Sequence, residues 1–147
     1  MRDLATCAAI VGAAEYPAKR FSEAPSANTL EQAADLALLA LDDAGLSLAD
    51  VDGISVRGVY VAQQFLPSTV AEYLGIRCAF GDAPDLGGAT PVGMVWRAAA
   101  AIERGVANTV LCLYPGNYPP PAPGADSWRD FGASSYLPGS PQAEFEI

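Results

Sequence analysis

The fold is decided by residues 85–93, DLGGATPVG, and by the apolar segments that follow them. The glycine pair Gly87-Gly88 ends an extended segment, and Thr90-Pro91 then opens a helix. This order predicts a tight strand-to-helix elbow, because glycine tolerates sharp turns and proline is favoured in the first turn of a helix. Backbone N–H groups at such an elbow are open to a ligand. A close-packed turn without a ligand is the alternative interpretation.

Helices and strands alternate on both sides of the elbow. Apolar residues at helical spacing predict three helices, which begin at the caps Thr29, Ser68 and Thr90 and end at Gly45, Gly75 and Gly105. Short apolar runs predict strands over 7–11, 53–56, 77–80 and 109–114, with one helical turn over 48–52. Residues 58–64 fit either type. The alternation predicts an α/β layered fold with a mostly parallel sheet flanked by helices.

Two regions are expected along the chain. Residues 1–114 form the α/β domain, and residues 115–147 form a Pro/Gly-rich loop. Seven of the twelve prolines lie in the second region. Regular structure is not expected there, because proline fixes φ and lacks a backbone donor.

The charge balance argues against a nucleic-acid surface. Seventeen acidic residues against eight basic ones give a net charge of −9, whereas phosphate binding needs clustered Lys and Arg. The chain has no histidine, which removes the usual general base, any Ser-His or Cys-His dyad and the commonest zinc ligand. An anionic ligand would meet one or two scattered cations, which include Lys19, Arg20, Arg57, Arg77 and Arg97.

The three cysteines, Cys7, Cys78 and Cys112, are odd in number and far apart. This usage is typical of reduced thiols rather than of a disulfide framework, and Cys78 and Cys112 are expected to be inert core residues within strands. No run approaches the about 20 apolar residues of a membrane span, and Asp3 stands where a secretion signal carries basic residues. The expected location is the cytoplasm.

In order and spacing, the elbow resembles the one that carries the nucleophilic cysteine in the thiolase superfamily, in particular its sterol-carrier-protein-X-type branch. Ala89-Thr90 match the family's Ala-Thr pair, and the position of the cysteine falls on Gly88. Further similar segments are residues 9–12, 42–54, 98–105 and 131–145. The resemblance spans nearly all of the chain and about the first third of a family member.

The resemblance implies the N-terminal half of a thiolase-like layered αβα fold. Gly88 lacks the thiolate that would attack an acyl thioester, so an acyl-enzyme cannot form at that position. Cys-less members of the branch resemble acyl-CoA aldolases, which cleave β-hydroxyacyl-CoA, including steroid side chains, by a retro-aldol reaction. The implied function is a carbon–carbon lyase whose acid–base residues lie beyond Ile147, with no activity expected from these residues alone.

The resemblance also implies binding residues and partners. No residue of this chain has a certain catalytic role. Substrate contacts are expected from Gly87, Gly88, Ala89, Thr90 and Asn117. Coenzyme A enters as part of the substrate, with no bound cofactor and no metal. The strand over 77–80 would pair across the two-fold axis of a homodimer, and a small OB-fold, zinc-ribbon protein would be a further partner.

Three alternatives stay open. The chain could be a non-catalytic thiolase-fold module that binds acyl-CoA or a partner, or it could belong to an acyl transferase of the thiolase family. An unrelated α/β nucleotide-binding domain is disfavoured, because neither G-x-G-x-x-G nor G-x-x-x-x-G-K-[ST] occurs in the sequence.

Overall fold

The computed structural model describes residues 8–17, 29–57 and 66–115. Helices and strands alternate along them. Their order is α1 (Thr29–Ala44), β1 (Gly53–Val56), α2 (Leu66–Leu74), β2 (Phe80–Asp82), α3 (Thr90–Glu103) and β3 (Val110–Leu113), with 3-10 turns at Leu48–Asp50 and Gly87–Ala89. In this part of the chain, no helix has the length and apolar character needed to cross a membrane.

The three strands form one parallel sheet in the order β2-β1-β3. Ile54 in the central strand lies opposite Gly81 in β2 and Leu111 in β3. The chain therefore passes from β1 through α2 to β2, and returns through α3 past β1 to β3. Parallel strands need such helical crossovers. The predicted α/β layered fold with a parallel sheet is confirmed.

One face of the sheet is apolar. Ile54 and Val56 of β1 are completely buried, and they share a face because side chains alternate along a strand. Helices α1 and α2 cover this face and form a single hydrophobic cluster with it. The cluster also contains Ala33, Ala37, Leu41, Val70, Ala71, Leu111 and Leu113. Removal of this surface from water holds the two helices on the sheet.

The opposite face carries polar residues and is covered by α3. Helix α3 contacts β1 and β3, and its Met94 and Ala98 are buried. Its other side exposes apolar residues, with Val92 74% and Trp96 61% exposed. A helix that is apolar on both sides is typical of one covered by further protein.

The helices end as predicted, at glycines in the left-handed conformation. Their φ angles are 67° at Gly45, 70° at Gly75 and 68° at Gly105. The predicted start of α2 at Ser68 is wrong, because the helix begins at Leu66. Pro67 then lies in the first turn, where a missing N–H costs no helical hydrogen bond.

The predicted strand over 7–11 is wrong for residues 8–11, and Cys7 lies outside the described residues. Ile10 is 74% exposed, and none of the described strands pairs with this segment. The segment instead runs along α1. The N–H of Ala13 donates to Asp43 Oδ2 at 2.9 Å, and a Cβ on Gly12 would lie 2.9 Å from that of Ala44. Close approach to a helix explains the small residues here.

Strand β2 begins at Phe80, which corrects the strand predicted over 77–80. Its pairing starts where β1 itself starts, with Phe80 opposite Gly53. Just before it, the N–H of Ala79 donates to the carbonyl oxygen of Asp52 at 2.7 Å. Earlier residues therefore have no strand beside them to pair with. Within the described sheet, β2 has one neighbour and its outer edge is open.

Asp52 ties the amino ends of β1 and β3 together. Its carboxylate accepts hydrogen bonds from the N–H and the side-chain amide of Asn108, both at 2.8 Å, and from the N–H of Thr109 at 2.9 Å. Burial acts to raise the pKa of Asp52, but the hydrogen bonds from Thr109 and Asn108 outweigh it and hold the pKa below its ordinary value. A structural contact thus occupies the amino edge, while α/β proteins bind ligands at the carboxyl edge.

Candidate functional site

The loop from β2 to α3 forms the predicted elbow. Gly87 has a φ of 58°, and one 3-10 turn over Gly87–Ala89 then leads directly into α3 at Thr90. The elbow follows the carboxyl end of β2, at the edge of the sheet where α/β proteins bind ligands. The prediction that Gly88 lies at a strand-to-helix elbow, with Thr90 in the first turn of the helix, is confirmed.

Thr90 closes this loop from beneath. The residue is completely buried, and its Oγ1 accepts a hydrogen bond from the N–H of Leu86 at 2.8 Å. Thr90 is the first helical residue, so its prediction as the N-cap is wrong. Ala89 holds the N-cap position and makes no side-chain cap. The Thr90 hydroxyl therefore fixes the loop, and its contact with a substrate stays a prediction.

Gly88 is the open position of the elbow. It is exposed, and a side chain added there would meet no atom within 4 Å. Its N–H has no hydrogen-bond partner among the residues that the structure describes. Ala89 beside it is also exposed. The position that matches the nucleophile of the resemblance therefore offers space and an unpartnered backbone donor.

Three side chains, Arg57, Asp85 and Tyr114, hold the elbow to the ends of the strands, and we call them the elbow clamp. Asp85 Oδ1 accepts from the N–H of Gly87 at 3.3 Å and pairs with Arg57 Nη2 at 3.0 Å. Arg57 Nη1 donates to the hydroxyl oxygen of Tyr114, and the guanidinium carbon lies 5.4 Å from the centre of the Tyr114 ring. This distance allows a cation–π interaction.

The elbow clamp was not expected from the sequence. Arg57 follows β1 directly and Tyr114 follows β3 directly, and the carboxyl ends of neighbouring parallel strands lie at the same edge. This rule could have predicted from the sequence that Arg57 and Tyr114 lie at the same edge of the sheet. Arg57 was predicted as one of several cations that an anionic ligand would meet. Its Nη atoms contact Asp85 and Tyr114 instead, and its Nε is buried without a partner among the described residues.

A second group, which we call the polar row, crosses the sheet under α3. It consists of Asp82, Ser55 and Cys112, since Ser55 is the register partner of both other residues. Asp82 Oδ1 pairs with Arg97 Nη1 of α3 at 3.0 Å. The Asp82 Oδ2 and Ser55 Oγ atoms are buried without a hydrogen-bond partner in the described structure. This face of the sheet therefore contains polar groups that its own residues leave unsatisfied.

The cysteines differ from the prediction. Cys78 and Cys112 are free cysteines and exposed residues, so their description as core residues is wrong. Cys78 precedes β2, and Cys112 is on β3, which has only β1 beside it in the described sheet. Although Cys112 reaches the surface, burial of its thiol, followed by the charge of Asp82, raises its pKa to about 11. A thiol with that pKa is a poor nucleophile at neutral pH.

The structure brings together only part of the predicted site. Gly87, Gly88 and Ala89 form the exposed turn, Thr90 lies beneath it, and Asn117 lies outside the described residues. Their contact with a substrate stays a prediction. Within residues 8–17, 29–57 and 66–115, no three His, Cys, Asp or Glu residues cluster in a way that could hold a metal ion.

Two solved structures are similar to this chain. One is an Ltp2-ChsH2(DUF35) aldolase, with 33% sequence identity, a TM-score of 0.50, and a match over 57% of this chain and 22% of that chain. The other is a monomeric SCP2-thiolase-like protein type 1 from Mycobacterium smegmatis, with 22% identity, a TM-score of 0.58, and a match over 74% of this chain and 23% of that chain.

These structures are of the SCP2-thiolase-like and aldolase kinds that the resemblance predicted. The likeness to the Mycobacterium smegmatis protein concerns the fold alone. This chain spans less than a quarter of the length of either structure. No family model and no curated protein matches it.

Proposed function

We propose that this chain supplies the thioester-binding elbow of an SCP2-thiolase-like carbon–carbon lyase that acts on β-hydroxyacyl-CoA. The observation that carries the proposal is Gly88, an exposed residue in the turn before α3, whose N–H has no hydrogen-bond partner among the described residues. It stands where a thiolase would have its nucleophile. The likeness to an aldolase supports the choice of a lyase over an acyl transferase.

A retro-aldol lyase needs a base and a site for negative charge, but no covalent nucleophile. The base removes the proton of the β-hydroxyl, the Cα–Cβ bond breaks, and its electron pair moves onto the thioester carbonyl as an enolate. Protonation at Cα gives a shortened acyl-CoA beside an aldehyde or ketone. The N–H of Gly88 would donate to the thioester oxygen as its charge grows, which the N-terminus of a helix favours.

We propose that the base lies outside the residues that the structure describes. Near the elbow, the carboxylates of Asp85 and Asp82 are paired with Arg57 and Arg97, and the chain has no histidine. This shortage of free bases also favours the second candidate, a non-catalytic acyl-CoA-binding module. The two candidates share the elbow and differ in turnover.

Partners and location belong to the same proposal. We propose a homodimer in the cytoplasm, with a small OB-fold, zinc-ribbon protein as a further partner. The exposed apolar side of α3 and the open edge of β2 support association, since uncovered strand edges and apolar surfaces tend to bind other protein. Light scattering on the full-length protein tests it, and a strict monomer at micromolar concentration would contradict the homodimer.

The decisive test is turnover by the full-length gene product. It would be incubated with a short β-hydroxyacyl-CoA and, separately, with a CoA thioester of a β-hydroxylated steroid side chain. Mass spectrometry would follow the aldehyde or ketone and the shortened acyl-CoA. Cleavage supports the lyase, and preference for the second substrate supports a steroid role. Saturable binding without cleavage favours the module. The absence of both cleavage and binding would overturn both candidates.

Gly88→Cys tests the role of the missing nucleophile. We expect no thiolase turnover, because a thiolate alone does not supply the acid–base groups of the condensation. The new thiol should nevertheless be labelled by iodoacetamide, since Gly88 is open and a helix N-terminus lowers the pKa of a thiol. Ala89→Cys is the matched control in the same turn. Thiolase turnover by Gly88→Cys alone would refute this view of the site.

A further inference from the structure

We infer that Arg57, held by Tyr114, is the positioning residue of the elbow. It fixes Asp85, Asp85 fixes the N–H of Gly87, and the adjacent N–H of Gly88 is thereby presented in one orientation. The inference rests on the proposed function for the identity of the ligand. The positioning itself is a property of the free protein.

Arg57 is well placed for this role, because its backbone belongs to the ordered edge of the sheet. Its N–H donates to the carbonyl oxygen of Leu113 at 3.1 Å, which extends the pairing of β1 with β3. Its side chain is 21% exposed, whereas that of Asp85 is 60% exposed. The ordered and half-buried partner is therefore the arginine. Solvent screens such a pair less than one between two fully exposed side chains.

The N–H of Gly87 needs its own anchor, because the other contacts of the turn hold different groups. The N–H of Thr90 binds the carbonyl oxygen of Gly87, and the Thr90 hydroxyl binds the N–H of Leu86. Residues 83–86 form no helix or strand, and Gly87 has a left-handed φ of 58°. An added Cβ on Gly87 would meet no atom within 4 Å, so packing does not impose this conformation. The hydrogen bond from its N–H to Asp85 does favour it. Without Arg57, the exposed carboxylate of Asp85 would be free to turn into solvent.

A direct contact between Arg57 and the ligand is less consistent with the geometry. Its Nη1 and Nη2 already bind Tyr114 and Asp85. Nε has no partner in the described structure, but it is buried. Arg57 therefore acts through Asp85 rather than on the substrate, and its replacement should disturb the elbow before any ligand is added.

Hydrogen exchange in the free full-length protein tests the positioning. Loss of a charge-assisted anchor in Arg57→Met is expected to accelerate amide exchange over residues 86–89 about tenfold. Arg57→Lys should restore part of the protection, since it keeps the charge but not the planar fork. Arg77→Met is the matched control, because Arg77 is exposed and has no ion pair in the described structure. Unchanged exchange in Arg57→Met would overturn the inference.

Calorimetric titration with butyryl-CoA separates this inference from the proposed function. The probe lacks the β-hydroxyl and is not cleaved. If the wild type binds it, we expect about tenfold weaker binding by Arg57→Met and none of that loss in Arg77→Met. Equal binding by wild type and Arg57→Met would count against the positioning.

If the wild type does not bind butyryl-CoA while exchange still accelerates, the proposed ligand is wrong and the positioning stands. Should Arg57→Met fail to fold, Asp85→Asn replaces it. That change keeps an acceptor for Gly87 but removes the charge that Arg57 holds, and its side chain lies mostly in solvent. Unchanged exchange over residues 86–89 in Asp85→Asn would likewise overturn the inference.

Discussion

The two faces of the sheet are built on different principles. The face under α1 and α2 is apolar throughout, with Ile54 and Val56 completely buried. The face under α3 carries the polar row, in which Ser55 Oγ and Asp82 Oδ2 are buried without partners among the described residues. Adjacent residues of one strand, Ile54 and Ser55, therefore face opposite environments. Substitutions at Ile54 and Ser55 therefore compare the contribution of the apolar face to stability with that of the polar face.

The difference also extends to the covering helices. Helices α1 and α2 share one hydrophobic cluster with the sheet, so the first face is closed by its own residues. Helix α3 packs Met94 inward but leaves Trp96 exposed on its other side, and its start forms the elbow. We therefore expect the first face to supply most of the stability. We propose that the second face supplies the groups that contact ligands or further protein.

The largest expected effect is on the apolar face. Ile54→Ala should lower the free energy of unfolding by about 3 kcal/mol, because it removes buried methyl groups and leaves a cavity at the centre of the cluster. The midpoint of urea unfolding of the full-length protein would measure it. Ile10→Ala is a control of the same chemistry at an exposed site. Equal losses for both variants would show that the cluster does not dominate stability.

A smaller effect is expected at the two glycines of the elbow. Gly87→Ala should cost about 1 kcal/mol, because an L-residue is strained at positive φ. Gly88→Ala should change stability by less than about 0.5 kcal/mol, since its Cβ would meet no atom and its φ is not left-handed.

Urea unfolding of both glycine variants, measured side by side, sharpens the comparison at the elbow. A larger loss at Gly88 than at Gly87 would mean that the turn has another conformation in solution. It would also remove the geometric basis of the proposed thioester contact.

The sequence predicted the architecture well, because its signals were local. The left-handed glycines after each helix, the apolar run over 53–56 and the elbow at Gly87-Gly88 each depend on neighbouring residues. The failures came from long-range contacts. Residues 8–11 read as a buried strand, but no described strand lies beside them, and β2 starts only where β1 can pair with it.

The site was predictable only in part for the same reason. Gly88 could be placed from its spacing, whereas the pairing of Arg57 with Asp85 joins residues on two different elements. Spacing along the chain does not determine which charges meet. Because side chains alternate along a strand, Ser55 in β1 and Arg57 just after β1 would be expected on the same face of the sheet.

A still smaller effect on stability is expected on the polar face, and its direction is unusual because the substitution should not destabilise the protein. Ser55→Ala should leave stability unchanged or raise it by up to about 1 kcal/mol, because it removes a buried hydroxyl without a partner in the described structure. Ser47→Ala is the contrasting control. Its Oγ donates to Asp50 Oδ2 at 2.7 Å, so that variant should lose about 1 kcal/mol. A loss in Ser55→Ala as large as in Ser47→Ala would indicate that the Ser55 hydroxyl is bonded in solution.

At neutral pH the smallest effect on stability is expected for Cys112, because its contribution changes only at high pH. Burial of the thiol and the charge of Asp82 raise its pKa from 9.0 to about 11. At pH 8 its thiolate should be about a hundredfold scarcer than that of an ordinary cysteine, and alkylation by iodoacetamide should slow accordingly. Peptide mapping of a Cys7→Ser, Cys78→Ser background would measure the rate. Asp82→Asn should accelerate it by removing the nearby charge.

The same pKa determines the direction of the pH dependence of stability. Because the folded protein holds the Cys112 proton more tightly than the unfolded chain, this contribution is complete below pH 9 and is lost as pH rises towards 11. Wild type should therefore lose stability relative to Cys112→Ser over that interval, and the two should run parallel at pH 7. Parallel curves up to pH 11, together with labelling as fast as in the unfolded chain, would show that the polar row is open to water. In that case the second face would differ from the first by solvent access rather than by buried polar groups.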